Sequence, residues 1–379
     1  MNSSLRFLFI SHTAGLGGAE IAMVETMRGL QAAGHHVYAV LPNESVLGER
    51  LFANHLPYSI IRHNQWTGYG RLKKLSMLLF QRGYFISVFK IARLARKLAS
   101  QIIVTNTSTI PAGAFAAKLA GIKHIWHLHE FVEEDHNLQW YFGAGFSYKL
   151  IAKLSDAVVC TSNAVKHKAQ RLMPPGTVIK TIYCACEIEP AKPILHPLHA
   201  PARLLMAGSV APGKNQLEAI NALGLLENRG IEVQLILIGH INESYKTTIR
   251  QAIEALAKQE RVVFKNFEAD MVSVYNEVDI VLMTSKMEAF GRVLVEAQKR
   301  GLPCIGADSG GIPEILGQGR GVLYKAGDVE DLAVKIEQLI SNHKLRYQIA
   351  SKGFEEAVAN YGECQNASAF AALAEEVLA

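Results

Sequence analysis

The segment from Ile280 to Glu314 limits more than any other what this chain can fold into. It begins with Ile280-Val281-Leu282-Met283, an apolar run of strand length. Glu288 lies in the short connection that follows, and Phe290-Gly291 opens a helix with apolar positions at Val293, Leu294 and Ala297. Gly301 ends that helix and Pro303 stands just beyond it. Cys304-Ile305-Gly306 is a second strand, delivered into the turn Ser309-Gly310-Gly311. Two strands joined through a helix run parallel, so the segment is one crossover of an α/β sheet. Glu288 and Glu296 bracket a helix N-terminus that suits an anion. Carboxylates beside such an N-terminus point to a polyol and a phosphate bound together.

The same unit recurs along the chain. The first apolar run, through Ile10, leads into Ser11-His12-Thr13-Ala14-Gly15-Leu16-Gly17-Gly18-Ala19-Glu20 and an amphipathic helix through Leu30, with the strand Val37–Leu41 after Gly34. Ile102–Thr105, Ile125–Phe131 and Asp156–Ser162 read as further strands. Leu204–Ala207, Val233–Ile238, Val262–Phe264 and Asp279–Met283 follow in the second half. Such alternation predicts parallel sheets with helices on both faces. Gly15-x-Gly17-Gly18 lacks the spacing G-x-G-x-x-G, and no acidic residue ends the second strand, which disfavours a dinucleotide-binding dehydrogenase. Residues 133–150, aromatic and polar with Gly143-Ala144-Gly145, read as a mobile loop.

A chain of 379 residues has room for two domains. Pro190, Pro193, Pro197 and Pro201 fall between Glu187 and Arg203, so the boundary is expected there. The expected domains are 1–188, joined by a terminal helix at 361–379, and 200–360. Hydrophobic content of 49% with 19% charge describes a well-cored protein, and no apolar run reaches the roughly 18 residues that span a membrane. The first ten residues read as a buried strand rather than a secretory signal. The five cysteines have no metal-binding or disulfide spacing and read as reduced cytosolic thiols. His127-x-His129-Glu130 offers zinc donors without a third ligand at usable spacing, so no metal site is expected.

Charge is unevenly distributed. Arg50 through His129 holds twelve Lys or Arg and no Asp or Glu. The rest of the chain, with 39 − 12 = 27 basic against 34 acidic residues, carries −7. Within residues 71–100 the apolar positions Leu72, Leu75, Leu78, Leu79, Phe85, Val88, Phe89, Ala92 and Ala95 interleave with Lys73, Lys74, Arg82, Lys90, Arg93, Arg96 and Lys97. Lys73, Lys74, Arg82, Lys90 and Arg93 would then form an acceptor-binding face or one that meets an anionic membrane. The plainer alternative is a solvated helix face. Nucleic acid is disfavoured because no nucleic-acid motif accompanies the charge.

Glu-Ala-Phe-Gly at Glu288–Gly291, Val-Glu-Ala at Val295–Ala297, Gly-Leu-Pro at Gly301–Pro303 and Gly-Gly-Ile-Pro-Glu at Gly310–Glu314 stand in an order and spacing that resembles the retaining glycosyltransferases of family 4, with Glu288 and Glu296 as their E-x7-E motif. Gly17-Gly18-Ala19-Glu20 matches the first loop of that family's amino-terminal domain. The resemblance implies the GT-B fold: two Rossmann-like domains facing each other across a cleft, the first binding the acceptor, the second the nucleotide sugar, with the last helix crossing back to the first. It implies that Glu296 holds the ribose, Glu288 the sugar hydroxyls, and Lys214 the diphosphate. It places His129, with His127 as runner-up, near the donor sugar. Gly17, Gly18, Gly208, Ser209, Ala289, Phe290 and Gly291 would line the donor, with Phe267 in the region suggested for the base. Two departures stand out. Ser209 occupies the position of a phosphate-binding arginine, for which Arg292 would compensate, and Thr181–Cys186 lacks the usual Asn-Gly.

The implied activity is retaining, metal- and cofactor-independent transfer of a hexose. The donor would be a nucleotide-diphosphate sugar, UDP-glucose or a close hexose. The acceptor would be a glycan or polyprenyl-linked glycan in polysaccharide biosynthesis, with the enzyme cytoplasmic or peripheral on the inner membrane face. Competing readings are a GT-B sugar-nucleotide epimerase and a non-catalytic nucleotide-sugar-binding subunit.

Overall fold

The computed structural model describes residues 4–68, 83–194, 197–266, 268 and 270–379. The chain divides into two compact units, Met1–Cys186 with Gly362–Ala379, and Glu187–Tyr361. Lys73, Lys74, Arg82 and Phe267, named above as candidates, lie outside the described residues. Among the described residues no helix is long and apolar enough to cross a membrane.

The first unit contains β1 (Arg6–Ser11), β2 (His36–Leu41), β3 (Tyr58–Ile60), β4 (Thr67–Gly68), β5 (Ile102–Asn106), β6 (Lys123–Leu128), β7 (Gln139–Trp140), β8 (Ala157–Cys160) and β9 (Ile179–Thr181). Among the described residues, seven of these form one sheet in the order β3-β2-β1-β5-β6-β8-β9, parallel throughout, while β4 and β7 form a small antiparallel pair. Phe7 and Phe9 of β1 belong to one buried cluster with Val104 and Ile125; Leu8 and Ile10 belong to another with Ile103. Both sheet faces are therefore apolar, which is why β1 reads as a continuous apolar run rather than an alternating one.

The helix Glu363–Leu378 completes the first of these clusters with Ala367, Phe370 and Ala374, against Met23 and Met27 of the helix Gly18–Ala32. Close approach depends on Gly29, where a Cβ would lie 2.6 Å from the Glu363 carbonyl oxygen. The Thr26 hydroxyl donates to Asn366 Oδ1 at 2.8 Å, and Asn366 Nδ2 donates to the Tyr183 carbonyl at 2.8 Å. Burial of Phe370 alone contributes about 2 kcal/mol.

Two local expectations change. Residues 133–150 are not a loop throughout: they contain the helix Glu133–His136, β7, and the start of the helix Ala144–Leu154. Buried Trp140 explains this order, packing edge-on at 5.7 Å against both Trp66 and Tyr148. The helix Tyr84–Lys97 buries Tyr84, Val88, Ile91, Ala92 and Ala95, while Phe85 and Phe89, grouped with its apolar positions above, are exposed.

The second unit contains β10 (Ala202–Ala207), β11 (Val233–Ile238), β12 (Val262–Lys265), β13 (Ile280–Met283), β14 (Cys304–Ala307) and β15 (Val322–Tyr324). Among the described residues these form a parallel sheet in the order β12-β11-β10-β13-β14-β15. The proline-rich stretch that opens this unit is fastened to it: Ala191 N–H donates to the Lys299 carbonyl at 2.8 Å, and Arg300 Nη1 donates to the Glu189 carbonyl at 2.7 Å.

Candidate functional site

In the second unit β10 and β13 are neighbours, although β11 and β12 lie between them in the chain. Chain direction through the sheet reverses at this pair, and the loops leaving the two carboxyl ends diverge around a crevice. Gly208–Asn215 leaves β10, and Thr284–Gly291 leaves β13. Lys214 is carried by the first and Glu288 by the second. Lys214 Nζ donates to Glu288 Oε2 at 2.6 Å, and the Ser285 hydroxyl donates to the same oxygen at 2.9 Å. The Lys214 side chain is 37% exposed and that of Glu288 14%, so the ammonium reaches solvent from a carboxylate seated deeper in the fold.

Backbone bonds hold the two loops together. The Thr284 hydroxyl lies 2.9 Å from the carbonyls of both Lys214 and Asn215, and Lys286 N–H donates to the Gly213 carbonyl at 2.9 Å. Buried Gln216 donates to the Ser209 carbonyl and accepts from Ala211 N–H, which fixes the first loop. Gly208 has φ +128°, and a Cβ at Gly239 would sit 2.2 Å from its carbonyl oxygen.

The glycine turn after β14 supports Glu288 from below. Gly311 N–H donates to the Glu288 carbonyl at 2.7 Å, and the Ser309 hydroxyl donates to the Lys286 carbonyl at 2.7 Å. At Gly310, with φ +57°, a Cβ would lie 2.2 Å from the Glu288 carbonyl oxygen. Ala289 and Phe290 are buried, the Phe290 ring meeting Tyr361 edge-on at 5.7 Å. Gly291, φ +99°, turns the chain into the helix Arg292–Lys299. On that helix Arg292 pairs with Glu296 at 3.4 Å, and the Tyr275 hydroxyl donates to the other Glu296 oxygen at 3.1 Å. Ser209 is exposed.

The first unit has its own reversal, at β1 and β5. The loop after β1 carries Gly17 and Gly18, and Gly17 N–H donates to Glu20 Oε2 at 3.0 Å. Glu20, buried, pairs with His12 Nδ1 at 2.9 Å. Burial opposes the His12 imidazolium, but the hydrogen bond and charge of Glu20 and the charge of Glu130 outweigh it, and the pKa is raised. Glu130 accepts from Ser108 N–H at 2.6 Å and from the Ser108 hydroxyl at 2.5 Å, yet burial raises its pKa.

His129 follows β6 in the same place. Its Nε2 donates to Asn106 Oδ1 at 2.8 Å, since Asn106 Nδ2 is already engaged in donating to the Ala19 carbonyl at 3.1 Å. The Cys184 thiol lies 3.9 Å from Nδ1. The His127 and His129 rings are 3.8 Å apart, and His127 is buried against Phe370. Burial lowers the His127 pKa to about 3, so this ring is neutral.

The sequence candidates thus fall into two groups. Lys214, Glu288, Ala289, Phe290, Gly291, Arg292 and Glu296 converge in the second unit, with Gly208 and Ser209 in the adjoining loop. In the first unit Asn106 links His129 to the Ala19 carbonyl, next to Gly17 and Gly18 in the chain. Lys90 and Arg93 belong to neither group and stand on the helix Tyr84–Lys97 of the first unit. Sequence reasoning passed over His12, Asn106, Ser285 and Tyr275. A carboxylate three residues after Gly17 was a signal for the helix cap, but nothing in the sequence singled out Tyr275. Among the described residues no group of three or more His, Cys, Asp or Glu could hold a metal ion.

A family model described as Glycosyltransferase Family 4 matches residues 16–189, and one described as Glycosyl transferases group 1 matches residues 190–356. N-acetyl-alpha-D-glucosaminyl L-malate synthase of Bacillus anthracis is 26% identical over 210 residues, 53% of this chain and 54% of that protein. The capsular polysaccharide biosynthesis glycosyltransferase CapM of Staphylococcus aureus is 28% identical over 147 residues, 38% of each chain. The chain spans about half or less of the length of these curated relatives. Anabaena Alr3699/HepE, solved with UDP and with UDP-glucose, superposes with TM-score 0.79 at 22% identity, over 98% of this chain and 100% of that one. At that identity the likeness is one of fold, and the two-sheet α/β architecture is the GT-B fold.

Proposed function

This chain belongs to the glycosyl transferases of group 1, and from that membership we infer a retaining glycosyltransferase that moves a hexose from a nucleotide-diphosphate sugar to a glycan or lipid-linked glycan. The observation that carries the reading is the Lys214–Glu288 pair, held at the sheet's reversal by backbone bonds from three separate loops. UDP-glucose is the donor we favour, because the HepE structures that share this fold hold UDP and UDP-glucose.

In the proposed reaction the bond between the anomeric carbon and the diphosphate oxygen breaks as the acceptor oxygen bonds that carbon on the same face. The acceptor proton passes to the departing phosphate oxygen. Lys214 has two ammonium protons beyond the one given to Glu288, and these would neutralise the leaving charge as it develops. Arg292 would add a second cation in place of the arginine that Ser209 replaces. Glu288 would accept from the sugar hydroxyls, and Glu296, oriented by Tyr275, from the ribose. No metal is needed for these roles. His129, its Nε2–H fixed by Asn106, would orient the donor sugar.

A thermal-shift panel of nucleotide sugars tests the donor first. At about a hundredfold excess over Kd, binding adds about 2.7 kcal/mol to stability. UDP-glucose should raise Tm, and NMR of the product should report retained configuration at the anomeric carbon. Glu288→Ala and His129→Ala should fold and fail to transfer. A flat panel, or an unchanged rate in both variants, overturns the reading. Epimerised donor without acceptor would identify an epimerase, and binding without turnover a non-catalytic subunit.

A further inference from the structure

The helix Tyr84–Lys97 presents two faces of different character. Tyr84, Val88, Ile91, Ala92 and Ala95 are buried in the cluster that also holds Leu8, Ile10 and Ile103 of the sheet, so its attachment to the first unit is complete without help from the opposite side. On that opposite side Phe85 is 79% exposed, Ile86 61% and Phe89 58%. Lys90, Arg93 and Lys97 are exposed beside them. At about 100° per residue all six fall within an arc of roughly 140°. A solvated helix face accounts for the cations but not for two phenylalanines and an isoleucine in water.

The patch continues onto the next helix. Arg96 donates to the carbonyls of Leu119 at 2.6 Å and Ala120 at 3.4 Å, joining this helix to the end of Ala112–Ala120, where Lys118 is exposed and Leu119 is 49% exposed. No Asp or Glu occurs anywhere from Arg50 to His129, so the cations here have no acidic sequence neighbours to neutralise them.

We propose that Phe85, Ile86 and Phe89, together with Lys90, Arg93 and Lys97, form a docking face for an anionic lipid bilayer. Apolar side chains interleaved with cations on one helical arc match the two layers they would meet, acyl chains below and anionic headgroups above. Nucleic acid would satisfy the cations and leave Ile86 in water. Lipid binding is separate from transfer chemistry, so it can be read on the intact protein whatever its activity.

The test is flotation of the full chain with vesicles of phosphatidylcholine alone or mixed with phosphatidylglycerol. Binding is expected only to the mixed vesicles, weakened by salt. Phe85→Ser/Phe89→Ser and Lys90→Glu/Arg93→Glu should each lower vesicle affinity at least about tenfold. Their melting temperatures should match the parent, since every residue changed is exposed. Absence of binding to mixed vesicles overturns the proposal, as does binding that neither double variant weakens. It is equally overturned if the variants instead abolish self-association, or binding to a single-stranded oligonucleotide, in a protein that ignores vesicles.

Discussion

Lys214 Nζ and Glu288 Oε2 are 2.6 Å apart, although 74 residues separate them in the chain. The lysine side chain is 37% exposed, whereas the carboxylate is 14% exposed and also accepts from the Ser285 hydroxyl. In the proposed reaction the two perform different tasks, so their variants should separate. Lys214→Ala should raise the donor KM and lower kcat, together costing about 10² in kcat/KM, because a phosphate cation is lost. Glu288→Gln should keep donor binding within a few-fold and lower kcat by about 10². Because the lysine is partly exposed, either change should alter stability by less than about 1 kcal/mol. Steady-state kinetics with urea titrations check this, and equal losses in both parameters for both variants would refute the division.

Gly310 offers a test of the scaffold without touching a polar group. Alanine there would place its Cβ 2.2 Å from the Glu288 carbonyl oxygen at a φ of +57°. The turn must shift and carry Glu288 with it. Gly310→Ala should cost on the order of 2–3 kcal/mol and weaken binding of the nucleotide sugar. Calorimetry of unfolding and of UDP binding would measure both.

Arg292 pairs with Glu296 at 3.4 Å on the helix that Gly291 opens beside the Glu288 loop. If it replaces the arginine missing at Ser209, Arg292→Ala should raise the donor KM about tenfold, and adding Ser209→Arg should recover much of the loss. An unchanged KM in the single variant removes Arg292 from the phosphate site.

Acid should destabilise the first unit through two histidines. His124 and His127 are buried, and burial lowers the pKa of each to about 3. The unfolded chain protonates both near 6.5. Their contribution is therefore complete above about pH 6.5 and is lost as pH falls toward about 3, at roughly 1.4 kcal/mol per unit for each. Urea midpoints measured from about pH 7 to about pH 5 should fall accordingly. His124→Asn should remove about half of this slope, and a midpoint that does not change with pH would contradict the neutral burial of both rings.

Strand existence, the parallel class and the glycine turns were legible because each is written locally. β1 and β13 are short apolar runs closed by small residues, and Gly301 with Pro303 ends the helix Arg292–Lys299 by backbone chemistry alone. The order of strands is not local. Only the sheet makes β10 and β13 neighbours and so brings Lys214 to Glu288, and only side-chain packing selects Asn106 as the partner of His129. Helical periodicity likewise fails to say which arc of Tyr84–Lys97 faces inward, because Val88 and Phe89 are equally apolar. Packing against the sheet buries the first and leaves the second in solvent. The sequence by itself determined which elements form and which chemical groups stand at their ends. The tertiary structure decided which of those ends meet, since strand pairing and burial depend on contacts between residues far apart in the chain.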